Sequence, residues 1–134
     1  MKSIKLKNDN YFDSSGITHD RELLSTILSN IKDNKSNYMK LENGTLICWG
    51  KTNKYNISYN YTENVDITLP ASYKDANFIV LTSISDTGAY WANGLTTAGY
   101  SMSKNTARVF LSNYQINAII QNVSACWLTI GKWK

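Results

Sequence analysis

Residues 55–70 read YNISYNYTENVDITLP. Tyr55, Ile57, Tyr59 and Tyr61 alternate with Asn56, Ser58 and Asn60, and Val65, Ile67 and Leu69 alternate again before Pro70. A period of two puts successive side chains on opposite faces, so the stretch predicts half-buried β-strand with one apolar-aromatic face and one polar face. Pro70 has no N–H to give to a ladder and ends the run.

The same logic extends in both directions. Upstream, Asn43-Gly44 is a turn signal, and TLICWGK (45–51) is apolar or aromatic on both faces from Leu46 to Trp49, which predicts a buried strand. Downstream, ANFIVLTSI (76–84) predicts a fully apolar strand. GYSMS (99–103), ARVFLSN (107–113), QINAII (115–120) and SACWLTIGKW (124–133) are short runs rich in β-branched or aromatic residues, although QINAII equally suits a helical turn. Short strands separated by turn residues such as Asp86-Thr87-Gly88 and Asn93-Gly94 predict a mostly β chain, an antiparallel β-sandwich or barrel-like domain.

One segment has a different period. After Thr18 or Asp20 as N-cap, RELLSTILSNIKDNK (21–35) sets Leu23, Leu24, Ile27, Leu28 and Ile31 at spacings of three and four. That spacing gathers them on one stripe of a short N-terminal α-helix. Ile17, Leu24, Ile31 and Tyr38 also recur every seven residues, a candidate trimeric coiled-coil seam, though a coiled coil is secure only over three or four heptads. The alternative is an amphipathic helix packed on its own domain. The expected organisation is a helix-containing segment over residues 1–37 and a β-sandwich over 38–134.

Composition narrows the function classes. Charged residues are only 18% of the chain and the net charge is +4, with the lysines scattered rather than gathered in a stripe. Arg21 and Arg108 are the only arginines, so no nucleic-acid partner is expected. No apolar run approaches the roughly 20 residues that cross a bilayer, so no membrane insertion is expected. Cys48 and Cys126 lie inside apolar runs and are read as two small buried residues, and no metal site is expected.

His19 is the sole histidine and precedes the predicted helix, away from the β-region, which argues against a nucleophile–base pair. Glycoside cleavage needs two facing carboxylates, and the β-region offers Glu63, Asp66, Asp75 and Asp86, with Glu63 and Asp66 read as flanking a turn. No enzyme, no catalytic residue and no cofactor are therefore expected. Nine Tyr and four Trp among many Asn, Ser and Thr suit sugars, whose apolar ring faces stack on aromatics while amides orient their hydroxyls. The predicted ligand-binding residues are Asp86, Tyr90, Trp91, Asn93 and Tyr100. Packing of Trp91 and Tyr100 into a core or subunit interface is the competing reading.

Asn43, Gly44, Trp49 and Gly50 in LENGTLICWGKT resemble the C-terminal domain of bacteriophage tail-fibre proteins, where a turn leads into an apolar strand ending in Trp-Gly. Leu69, Pro70, Tyr73 and Phe78 in VDITLPASYKDANFIVLTSI, and Trp127, Ile130, Gly131 and Trp133 in ACWLTIGKW, continue the likeness over residues 38–134. It does not cover Ser85 to Asn105, where the loop aromatics fall. The resemblance implies a receptor-binding fibre tip, of a phage or a phage-tail-like bacteriocin, that attaches as a homotrimer to a bacterial cell-surface receptor, often a glycan. The start MKSIKLKNDN has no signal-peptide stretch, which fits synthesis in the bacterial cytoplasm. A free-standing bacterial carbohydrate-binding or lectin domain is the alternative.

Overall fold

The computed structural model describes residues 31–34, 36–87 and 94–134. The chain forms two compact units, residues 1–33 with 41–43 and residues 34–40 with 44–134, and apart from β1 and the last residue of β2 the following concerns the second. The described elements are all strands: β1 (Ile31–Asn34), β2 (Tyr38–Leu41), β3 (Thr45–Lys51), β4 (Tyr55–Ile57), β5 (Tyr61–Thr68), β6 (Ile79–Asp86), β7 (Leu95–Ser103), β8 (Thr106–Asn113) and β9 (Ile120–Lys132).

They make two antiparallel sheets that curl into a half-barrel. In the six-stranded sheet the order is β1-β2-β3-β9-β4, with β6 on β9 as well. Its long strand β9 pairs with β3 over Cys126–Lys132, with β4 near Val123 and Ile120, and with β6 over Ser124–Ile130. The second sheet is β5-β8-β7. Between the two lies one core: Leu46 and Cys48 from β3, Val65 from β5, Ala107, Val109 and Leu111 from β8, and Ile120, Val123, Ala125 and Trp127 from β9.

Close approach of the sheets is made by glycine. A Cβ at Gly99 on β7 would lie 2.7 Å from Val80 Cγ1 of β6 across the two sheets, and within the six-stranded sheet one at Gly131 on β9 would lie 2.6 Å from Phe78 Cβ, just before β6. Both distances are below any real carbon contact, so these positions exclude larger residues. Several polar groups inside are hydrogen-bonded to one another, while Thr97 Oγ1, Ser124 Oγ and Trp127 Nε1 are buried without a partner. Tyr73 donates its hydroxyl to Thr129 Oγ1 at 2.7 Å, and the fully buried Asn113 amide donates to the carbonyls of Ile57 (3.0 Å) and Ala118 (2.8 Å). Asn113 Oδ1 in turn accepts from the Gln115 N–H at 3.0 Å.

The strand at residues 45–51 has the bounds expected from its sequence, and the 55–70 alternation holds with one interruption. Ser58–Asn60 is a turn rather than strand, with Asn60 in the left-handed region at φ 52°. The parity of the buried residues Ile57, Val65 and Leu69 is kept across the break, and Tyr59, in the turn, and Tyr61, at the first residue of β5, are exposed. Asn is among the few residues that tolerate that conformation.

Four other expectations are corrected. Ile31–Asn34 and Tyr38–Leu41 are strands, so Ile31 and Tyr38 do not continue a helix. Asp33, Asn34, Ser36 and Asn37 are poor helix-interior residues, and the backbone here bonds laterally instead. The rest of the proposed helix and seam, Ile17 through Leu28, lies outside the described residues. Cys48 is buried as expected, but Cys126 is exposed. QINAII is mostly loop, with Ile116 and Ile119 exposed and only Ile120 entering β9. Finally, β6 is not buried on both faces. Ile79 and Leu81 are 59% and 56% exposed, because one side of the six-stranded sheet faces away from the core.

Candidate functional site

The outward face of the β5-β8-β7 sheet is built by strict alternation. On β8, Ala107, Val109 and Leu111 point inward, which sends Arg108 and Phe110 outward. The ladder registers then place Asp66, Arg108 and Tyr100 side by side in one row across three strands. The adjacent row is Asn64, Phe110 and Ala98, and the next is Thr62, Ser112 and Thr96.

This face is preorganised. Arg108 grips Asp66 with two parallel hydrogen bonds, Nε to Oδ1 at 2.6 Å and Nη2 to Oδ2 at 3.0 Å. The guanidinium holds the Asp66 carboxyl below its ordinary pKa, chiefly through that hydrogen bonding, and the carboxylate raises the pKa of Arg108 in return. Beside the pair, the Tyr100 ring stacks on Phe110 with centroids 5.7 Å apart and planes 25° from parallel. Tyr100 remains 46% exposed, so a broad aromatic face is open to solvent next to fixed charge-assisted groups. The hydroxyls of Thr62 and Ser112 share a hydrogen bond of 2.8 Å in the third row.

Chemically, the face offers a ring for an apolar surface to stack on and hydrogen-bonding groups held at its side. A guanidinium carries more donors than the two that Asp66 takes, so Arg108 can hold a further acceptor without leaving its partner. Asp66 also lines a polar notch of about 280 Å³ with Lys51, Thr52, Asn53, Tyr55 and Thr68, so the platform runs into a concavity at the sheet edge.

The predicted residues divide differently from expectation. Tyr100 is on this platform. Asp86 is on β6 of the other sheet, opposite Ser124, where Lys51 Nζ binds its Oδ2 at 2.8 Å and Lys54 Nζ lies 3.8 Å away. The structure does not bring Asp86 and Tyr100 together. Tyr90, Trp91 and Asn93 lie outside the described residues.

Asn64, Asp66, Arg108 and Phe110 were not foreseen as site residues. Their signal was present in the alternation of NVDIT and ARVFLSN, in which the non-core phase carries the functional groups. Nor do Glu63 and Asp66 flank a turn, since both stand within β5. Asp66 and Asp86 both have lowered pKa values, from the Arg108 and Lys51 hydrogen bonds respectively, whereas a glycosidic general acid needs a raised one. Among the described residues no group of three or more His, Cys, Asp and Glu is placed to hold a metal ion.

A second concavity, about 620 Å³, opens on the outward face of the six-stranded sheet between Trp49, Leu81 and Leu128. Its wall is almost wholly apolar, which suits neither sugar hydroxyls nor charge.

No protein-family model matches the chain, and no curated protein does. Solved structures do. An N-truncated R1-type pyocin tail fibre superposes with a TM-score of 0.58 at 20% identity, covering 83% of this chain and 94% of that one. A C-terminal portion of the P. aeruginosa R1 pyocin fibre gives 0.54 at 18% identity, over 74% of this chain and 27% of that one. The fold is thus shared with the fibres of a phage-tail-like particle, in keeping with the resemblance carried by the strand motifs.

Proposed function

We propose that this chain is the receptor-binding tip of a tail fibre, of a phage or a phage-tail-like bacteriocin, and that it attaches the particle to a glycan on the bacterial surface. The observation that carries this reading is the fold shared with pyocin tail fibres, which spans nearly the whole of the N-truncated one. The fibre would work as a homotrimer, binding its receptor without a cofactor and without chemistry on it.

The Asp66–Arg108–Tyr100–Phe110 platform supports a glycan as ligand. An aromatic face packs on the C–H side of a pyranose, and the adjacent guanidinium–carboxylate pair supplies directional contacts to ring hydroxyls. A platform this open buries little of a sugar, so one site binds weakly, and three copies on one particle restore strength through effective concentration. Tyr90, Trp91 and Asn93, in the β6–β7 connection, remain proposed contributors to the same recognition.

A cell-binding assay and a glycan array with the full chain test this. Tyr100→Ala and Arg108→Ala should retain the β-sheet circular dichroism spectrum and lose surface binding. Full binding by both folded variants would remove the platform from the mechanism, and Trp91→Ala would then test whether the loop carries recognition alone.

A further inference from the structure

At one end of the β5-β8-β7 sheet three connections meet, and none of them carries charge. Residues 55–62, 87–103 and 109–131 contain no Asp, Glu, Lys, Arg or His. The fold gathers these stretches around Asn113, with Tyr61 opposite it on one side and Leu95 on the other. The Asn60 N–H donates to the Gln115 carbonyl at 3.0 Å and the Tyr114 N–H to the Gly94 carbonyl at 2.8 Å. These bonds tie the Ser58–Asn60 turn, the β8–β9 connection and the end of the β6–β7 connection to one another. Beneath them the buried Asn113 side chain donates to the Ile57 and Ala118 carbonyls and accepts from the Gln115 N–H.

Around this staple Tyr59, Tyr61 and Tyr114 are 55%, 53% and 62% exposed. Tyrosine is a large amphipathic face with few torsions, so three of them on tied loops offer contact area at small entropic cost. The lysines meet at the other end. There the Tyr73 N–H bonds to the Lys104 carbonyl, the Lys74 N–H bonds to the Lys132 carbonyl, and Lys40 and Lys134 both stand over the Trp133 ring. Strand β8 separates the two ends by about 24 Å, from Thr106 near the lysines to Asn113 beneath the tyrosines.

We propose that this loop end is a second contact site for the receptor and that the receptor is an uncharged glycan, an inference that rests on the receptor-binding reading above and narrows its ligand class. The site continues the platform. Thr62, Ser112 and Thr96 form the outward row next to it, and a glycan lying along β8 from Tyr100 reaches Tyr114 after about 20 Å. Asp66 and Arg108 neutralise one another, so that path carries no net charge. Sugar rings offer C–H faces to tyrosine and hydroxyls to amides, and the exposed Ile116 and Ile119 suit the methyl groups of deoxy or N-acetylated sugars. An acidic glycan would find the lysines at the wrong end. A protein partner would meet a dry apolar centre inside a polar rim, whereas tyrosines and polar side chains alternate here in SYNY and NYQ.

On an array of uncharged and acidic bacterial oligosaccharides, the full chain should select uncharged ones. Binding should stay level from about 0.01 to 1 M salt, over which the screening length falls about tenfold. Tyr59→Ala and Tyr114→Ala should keep the β-sheet circular dichroism spectrum and each weaken binding by about tenfold, the scale of one lost aromatic contact. Lys104→Ala, at the far end, should change nothing. In the unaltered chain, nitration by tetranitromethane should slow at Tyr59 and Tyr114 when the selected oligosaccharide is bound, a measurement that needs no variant to fold.

Selection of acidic glycans, binding that falls steeply with salt, or nitration that ignores the oligosaccharide would overturn the proposal. So would cell binding that is abolished by protease treatment of the cells, which would mark a protein receptor. The two readings fail separately. Cell binding that needs Tyr100 and Arg108 but neither Tyr59 nor Tyr114 refutes the loop site alone, whereas a chain that binds neither cells nor any glycan refutes receptor binding itself.

Discussion

The two outward sheet faces obey the same alternation and carry opposite chemistry. Across β3, β9 and β6 the outward row holds Trp49, Leu128 and Leu81, while across β5, β8 and β7 it holds Asp66, Arg108 and Tyr100. Both rows sit over one core, so the difference owes nothing to local stability. It suits the faces to different neighbours: an apolar face gains by leaving water, and a face of paired charge and half-open rings keeps its hydrogen bonds in water.

The largest effect should come from removing what the faces share. Leu111 is fully buried between the sheets, and Leu111→Ala should cost about 2–5 kcal/mol in urea denaturation. Assembly and cell binding should then be lost together. If one survives such destabilisation, the two faces do not depend on a common core.

A smaller loss is expected at Asn113, whose amide closes the Ile57 and Ala118 carbonyls over the end of the β5-β8-β7 sheet. Asn113→Ala leaves buried acceptors without a donor and should cost about 1–3 kcal/mol. Hydrogen exchange should show the loosening first around Ile57 and Ala118, leaving the β3–β9 ladder protected.

Surface variants sharpen the contrast. Arg108→Ala should reduce cell binding by about tenfold to a hundredfold, the range expected for a charge-assisted contact, and leave assembly intact. Tyr100→Ala should lower stability by about 0.5–1.5 kcal/mol through its lost stack on Phe110, read by thermal melting.

The smallest effect is that of pH. Asp66 and Asp86 have pKa values lowered by Arg108 and Lys51, so in the folded chain they hold their charge to more acid conditions than in the unfolded chain. Their contribution is present in full above the ordinary carboxylate pKa of about 4 and is lost as the pH falls through the lowered folded values. Asp66→Asn should flatten the acid limb of a melting-temperature profile slightly and leave the neutral region almost unchanged, since both carboxylates are on the surface.

Much of the fold was legible in the sequence. The Asn43-Gly44 turn, the bounds of the strand at 45–51 and the end of β5 at Thr68, shortly before Pro70, follow from turn chemistry, continuous apolar character and the missing N–H of proline. Those are local properties. Gly50 of the Trp49-Gly50 motif also sits at a close contact, since the Trp127 ring occupies the space a side chain there would need.

What the sequence could not supply is which of two alternating faces looks inward, and which strand lies beside which. Ile79 and Leu81 read as core because they are apolar, yet they face out, and Tyr59 and Tyr61 are exposed because the chain turns at Ser58–Asn60, with Asn60 in the left-handed region, and leaves them at the end of the buried strip. Arg108 and Asp66 are separated by 42 residues, and only the register of β5 on β8 brings them within 2.6 Å. A period of two is set by each strand's own backbone and is therefore written in the sequence. Lateral register is decided by the burial of all strands at once, so the platform, and the apolar face turned away from it, exist only in the tertiary structure.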